Sequence, residues 1–283
     1  MSVEIPISAY TESKKLLLEK EEGYRRKVEI RAVGIEEAVI QRVIKNKEIQ
    51  SKLINIVKKL KGKRELDIYT DGLLVVENGG NREGKKMGIG WIVASNDSNK
   101  NSISFKSRIA DWPSSTRAEL DAIWTALLAA PSESKVRIYS DSNAAIEGIQ
   151  GFKSRMNIRN MFKTKNRSLI NQIIDCCRTK NIDLELIKVK SHSMNYWNDK
   201  ADKLVKEGLI SDLLLEVQDV TTSSIRVVPT WGNKLIDSPL RTFVNITTAM
   251  SYECKWVDLS NIKPLLGQRS NSQSNKELNW RNT

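Results

Sequence analysis

Two short runs in this chain end in an aspartate after the same pattern: "DIYTD" at 67–71 and "RIYSD" at 137–141. In each, a tyrosine (Tyr69, Tyr139) lies two positions before the aspartate, and residues two apart share one face of a strand. If the runs are parallel neighbours about 4.8 Å apart, Asp71 and Asp141 lie side by side at the C-terminal strand ends. That edge is where open α/β sheets place ligands. Adjacent carboxylates repel, and a bound cation is the natural resolution. Each also has a plainer use: Asp71-Gly72 is a good turn dipeptide, and Asp141 is placed to cap the next helix.

Two more carboxylates stand on helical patterns. Glu119 follows Thr116 at capping-box spacing, yet it also lies beside the apolar face of Leu120, Ile123 and Leu127, from which it can overhang the sheet edge. Asp202 falls in the second turn of the last helix, where interaction with the helix dipole is the alternative, one that Asp199 could also serve. The chain has a single histidine, His192, in a Ser-rich junction between an apolar run, 182–189, and an amphipathic run, 197–209. Histidine titrates near neutrality, and loops on a rigid scaffold often carry chemistry. The other reading is an exposed loop histidine without a task.

The periodicities define the elements that must hold these groups. "ELDIYTDG" alternates as a strand and stops at Asp-Gly; "MGIGWIVAS" and "SISFKSRIA" also alternate. The Gly-rich "ENGGNREGKK" reads as a flexible hairpin loop between the first two. After Pro113, "SSTRAELDAIWTALLAA" has one apolar helical face and ends at Pro131. A strand, "KVRIYSD", follows, with a short helix, "SNAAIEGIQG", closed by Gly151. Helix "NRSLINQIIDCCRTKN", strand "IDLELIKV" and a helix from about Tyr196 to Leu209 complete the order. A meander followed by alternating helices and strands implies an α/β fold: a five-stranded mixed sheet with helices on both faces.

Three parts emerge: residues 1–64, 65–208 and 209–283. Residues 1–64 carry sixteen Lys or Arg against nine Glu, with apolar residues at helical spacing: Ile35, Val39, Val43, then Ile49, Leu53, Val57 and Leu60. This is a basic helical segment. Residues 209–283 have strand-like and turn-like pieces, and Trp231, Trp256 and Trp280 suggest some buried structure. The polar 267–283 reads as disordered. With 40% hydrophobic and 28% charged residues the chain can bury a core. A net charge of +12 favours a polyanionic partner. Cys176, Cys177 and Cys254 show neither a disulfide framework nor a zinc pattern, and no membrane span or signal-peptide run occurs. An intracellular, reducing compartment, cytoplasm or nucleus, is expected.

In order and spacing, "IYTDG", "STRAELDAI", "IYSDS" and "VKSHSMNYWNDKAD" resemble the motifs of the type 1 ribonuclease H family, over roughly residues 65–208. The resemblance implies that Asp71, Glu119, Asp141 and Asp202 are metal-binding carboxylates. It implies that His192 is the mobile-loop histidine assisting proton transfer or product release. The implied cofactor is a pair of Mg²⁺ ions, with Mn²⁺ able to substitute, and an all-oxygen ligand set suits such hard cations. The implied activity is endonucleolytic hydrolysis of the RNA strand of RNA–DNA hybrids. No Y-x-D-D polymerase signature occurs, which fits a retroelement-derived member separated from its polymerase.

Substrate contacts have their own signal. "GFKSRMNIRNMFKTKNR" at 151–167 carries six basic residues (Lys153, Arg155, Arg159, Lys163, Lys165 and Arg167), no acidic ones, and Phe152 and Phe162. This reads as a phosphate-contacting surface with stacking groups, Phe152 among them, and some family members have a basic protrusion here. Ser114, Ser115 and Thr116 stand where the family often contacts the hybrid. Leu73 after "TDG", the unusual "ENGGNREGKK" and the lack of a Trp near Gln150 depart from the family pattern and bear on substrate preference. A catalytically weak or inactive nucleic-acid-binding module is the alternative, and a DNA-cutting enzyme on the same fold is a third. Four carboxylates and the histidine favour the nuclease.

Overall fold

The computed structural model describes residues 34–79, 82–95, 102–110, 112–154, 164–190, 195–217, 230–231 and 234–257. Among them a six-stranded mixed sheet has the order β5-β4-β1-β2-β3-β6. Its strands are β1 (Glu65–Gly79), β2 (Arg82–Val93), β3 (Ser104–Ile109), β4 (Lys135–Ser140), β5 (Asp183–Lys188) and the two-residue β6 (Leu214–Leu215). The first three form an antiparallel meander; β4 runs parallel to β1, and β5 parallel to β4. This is the expected mixed sheet, widened from five strands to six because β6 pairs with the edge of β3.

One local expectation fails. β1 does not stop at Asp71-Gly72 but runs on to Gly79, with Asp71 opposite Gly90 and Gly72 opposite Ile89. Gly72 has no positive φ, so the dipeptide is extended and the ladder overrides its turn preference. The hairpin is accordingly tighter than the "ENGGNREGKK" loop suggested.

Helices cover both faces. On one lies α3 (Ser115–Ala129), buried from Arg117 onward because its neighbours enclose it. Those neighbours are α1 (Ile35–Val43), α2 (Lys47–Leu60), α4 (Asn143–Ser154) and α5 (Arg167–Lys180). The buried Lys180 ammonium donates to the carbonyls of Leu127, Leu128 and Ala130, so a cation closes the C-terminal end of α3. The opposite face of β1, β2 and β3 carries α6 (Tyr196–Leu209). A Cβ at Gly90 would lie 2.7 Å from the Val205 amide nitrogen, so only a glycine lets α6 settle this closely.

The two helices preceding the sheet share its core. Ile40, Ile44, Ile49, Leu53 and Leu60 are fully enclosed in the same cluster as Ile68, Ile89 and Trp124. At about 1.5–3 kcal/mol for each such side chain, this packing ties α1 and α2 firmly to the sheet. The buried face of α1 is Ile40 and Val43, whereas Ile35 is exposed. Ile44 bridges to Val217 and ends that helix, and the Asn46 side chain caps α2 by accepting from the Glu48 and Ile49 amides.

Beyond the sheet, β7 (Thr230–Trp231) and β8 (Lys234–Leu235) form a small ladder followed by α7 (Leu240–Val257). Trp231, expected to be buried, is exposed. His192, Arg155, Arg159 and Lys163, the Lys153, Cys254 and Trp256 side chains, Trp280 and the tail 267–283 lie outside what is described. No helix among the described residues is long and apolar enough to cross a membrane.

Candidate active site

The repeated tyrosine–aspartate pattern has a spatial meaning. β4 lies beside β1 in the register that pairs Asp67 with Arg137 and Tyr69 with Tyr139. The two tyrosine rings stack, with centroids 4.4 Å apart and planes 8° from parallel. Two residues further on, the same phase places Asp71 beside Asp141. Trp197, Ala201 and Leu204 of α6 close over Tyr69, Ile92 and Tyr139. The tyrosines are therefore the seat of the helix that carries Asp202, and one sequence repeat orients three of the four carboxylates.

Glu119 arrives from the other side of the sheet. A Cβ at Gly72 would lie 2.3 Å from both the Ala118 carbonyl carbon and the Glu119 amide nitrogen. Only the missing side chain admits α3 here, and the contact brings Glu119 against Asp71. The N-cap of α3 is Ser114, whose hydroxyl accepts from the Arg117 amide at 3.0 Å. Thr116 therefore does not cap, and Glu119 is not committed to a capping box. Asp141 is likewise spared, because the Ser142 hydroxyl accepts from the Ala145 amide at the start of α4. In α6 the cap is the Asn195 side chain, and Asp199 stands in the first turn near the positive end of the dipole.

The carboxylate oxygens of Asp71, Glu119 and Asp141 come within 4.8 Å of one another. Burial first, and then the Asp141 charge, push the Asp71 carboxyl up to about 6, while a 2.7 Å hydrogen bond from the Gly72 amide opposes the rise. Glu119 is raised well above the usual carboxylate range by burial, then by Asp71 and Asp141. Its Oε2 is buried without a hydrogen-bond partner. An orphaned buried oxygen beside two further carboxylates, all of them hard donors, fits a divalent cation such as Mg²⁺. Asp202 stands at the margin: it adds to the negative field on Asp71 but is held by Lys206 Nζ at 2.6 Å.

The remaining expected residues separate. Ser115 is exposed at the mouth of the helix, and Ser114 and Thr116 are half-buried beside it. Lys165 is exposed, as a phosphate contact requires. Arg167 is not: it is buried and shares its surroundings with Asp237, so the expected backbone contact gives way to an internal role. Phe152 is half-buried, with part of its ring packed against the core cluster. Two useful residues escaped the sequence reading. Gly72 could have been suspected from its place beside Asp71. Lys188, whose ammonium donates to the Asp141 carbonyl and opposes the rise at Glu119, ends β5 without any distinguishing motif.

A model of the RNase H family matches residues 63–210. A ribonuclease H of Schizosaccharomyces pombe is 32% identical over 147 residues, spanning 50% of this chain and 52% of that protein. The match thus covers about half the length of that relative. Among solved structures, RNase H1 of the halophilic archaeon Halobacterium salinarum NRC-1 is 19% identical with a TM-score of 0.36, covering 51% of this chain and 97% of its own. The prototype foamy virus protease–reverse transcriptase is 20% identical with a TM-score of 0.40, covering 53% of this chain and 21% of its own.

Proposed function

The chain belongs to the ribonuclease H family, and from that membership we propose that it is a type 1 enzyme, a divalent-metal-dependent endonuclease hydrolysing the RNA strand of RNA–DNA hybrids. The observation that carries this reading is the convergence of Asp71, Glu119 and Asp141 within 4.8 Å at one sheet edge. Burial and mutual repulsion raise the proton affinity of Asp71 and Glu119. A module built only to bind nucleic acid gains nothing from gathering buried negative charge beneath a phosphate backbone, and a cation-binding nuclease requires it.

In this reading Asp71, Glu119 and Asp141 would hold the cations, with Asp202, now paired with Lys206, as the fourth ligand. Two bound Mg²⁺ ions supply Lewis-acid stabilisation of the phosphoryl charge and a water of lowered pKa. The chain's own groups do the rest. Lys188 steadies the Asp141 backbone from β5. Lys153, Arg155, Arg159, Lys163 and Lys165 hold the phosphates, and Ser114, Ser115 and Thr116 face the hybrid from the start of α3. His192 takes up or delivers a proton beside the reacting phosphate, since its ordinary pKa allows both near neutrality.

The test compares three substrates (an end-labelled RNA–DNA hybrid, single-stranded RNA and duplex DNA), each with Mg²⁺ and with chelator. Cleavage confined to the hybrid and to the Mg²⁺ lanes is expected. Binding without cleavage under all conditions would replace the nuclease with a binding module.

A further inference from the structure

Asp237 lies beyond the family match at 63–210, between β8 and α7, yet it is only 5% exposed. Its Oδ2 accepts from Arg117 Nη1 at 2.7 Å, and its Oδ1 accepts from the Ser168 amide at 2.8 Å. Its carbonyl accepts from the Asn166 amide at 3.0 Å. Asn166 is the N-cap of α5, but it sits in the left-handed region at φ 53° and its side chain makes no capping bond. The acceptor that a helix start ordinarily finds in its own N-cap comes here from a residue far along the chain.

The other partner matters more. Arg117 belongs to the first turn of α3, two residues before Glu119, and its Nε lies 3.6 Å from Asp121 Oδ2. All three side chains are buried. A buried ion pair is a weak source of net stability beside apolar packing, but it constrains the groups it joins. A second anchor meets the same place: the Phe243 ring of α7 lies edge-on to Trp112 at 6.0 Å, just ahead of Pro113 and Ser114. The C-terminal stretch thus grips the start of α3 at two points.

We propose that Asp237 is a positioning residue for the carboxylate cluster: by holding Arg117 between α3 and α5 it sets where Glu119 is presented. The inference rests on the reading of Glu119 as a metal ligand. In the full chain, Mn²⁺ titrated calorimetrically reads the cluster without substrate. Asp237→Asn weakens Mn²⁺ binding about tenfold, the lower end of the effect of residues that orient metal ligands, and Asp237→Glu restores part of it. The double variant Glu119→Gln/Asp237→Asn binds no more weakly than Glu119→Gln alone, because both losses run through one side chain. A folded Asp237→Asn chain with wild-type affinity, or losses that simply add, overturns the proposal. Should Asp237→Asn not fold, Arg117→Lys is read the same way; if neither folds, the pair serves stability alone and the positioning role is refuted. A Glu119→Gln chain that binds Mn²⁺ as tightly as wild type refutes instead the metal site on which the inference rests.

Discussion

Replacing Asp71 by Asn should stabilise the metal-free protein at neutral pH while abolishing its activity. In the folded chain the Asp71 carboxyl is raised from 3.8 to about 6 by burial and by Asp141. A rise of that size corresponds to about 3 kcal/mol between protonated and ionised forms. Because the folded state binds this proton more tightly than the unfolded chain, the contribution runs against folding at high pH. It is absent below about pH 4, grows as pH rises towards about 6, and is complete above that. Asn removes the charge yet keeps an oxygen for the Gly72 amide. In chelator at pH 8, Asp71→Asn should therefore be about 2–3 kcal/mol more stable, a Tm gain of roughly 4–12 °C; at pH 4 the two proteins should melt together. Saturating Mg²⁺ should reverse the ranking at pH 8, since only the wild type retains the full cluster. Thermal melts monitored by circular dichroism at both pH values, with and without Mg²⁺, make the comparison. A variant less stable than wild type at pH 8 in chelator would refute the account of repelling buried carboxylates.

Three further outcomes are expected. Gly72→Ala drives a methyl into the α3 backbone, so stability falls by about 1–3 kcal/mol and calorimetric Mn²⁺ affinity falls with it; unchanged affinity would detach Gly72 from the placement of Glu119. His192→Ala keeps the Tm and the Mg²⁺ requirement but slows turnover by roughly tenfold to a thousandfold, and the neutral limb of the pH–rate profile disappears; an unaltered profile returns His192 to an idle loop residue. Replacing Lys153, Arg155, Arg159 and Lys163 together with Ala flattens the salt dependence of hybrid binding by up to about four units of log–log slope; an unchanged slope moves the binding surface elsewhere.

The sheet and most of the carboxylates were legible because the relevant signals are local or repeated. "IYTD" and "IYSD" put a tyrosine and an aspartate in the same phase, and once the two strands pair in parallel that phase sets Tyr69 on Tyr139. The amphipathic run from Tyr196 to Leu209 likewise marks its own ends. What was not legible depends on partners distant in sequence. Asp71-Gly72 looks like a turn until α3 is present to demand a bare backbone at Gly72. Ser114, Ser115 and Thr116 are comparable caps by residue type, and Ser114, whose amide donates to Met87 Sδ, takes the role. Arg167 belongs to a basic run that resembles a phosphate surface, and only the burial of Asp237 beside it shows an inward orientation. A long-range ion pair such as Arg117–Asp237 leaves no periodicity to find.

The central claim is most directly tested with an RNA–DNA hybrid labelled on one strand or the other, incubated in Mg²⁺ with wild type and with Glu119→Gln in parallel. The account predicts that wild type shortens the RNA strand alone and that Glu119→Gln, though folded and able to bind the hybrid, shortens neither. Cleavage of the DNA strand, or a Glu119→Gln chain cutting RNA at the wild-type rate, would contradict it.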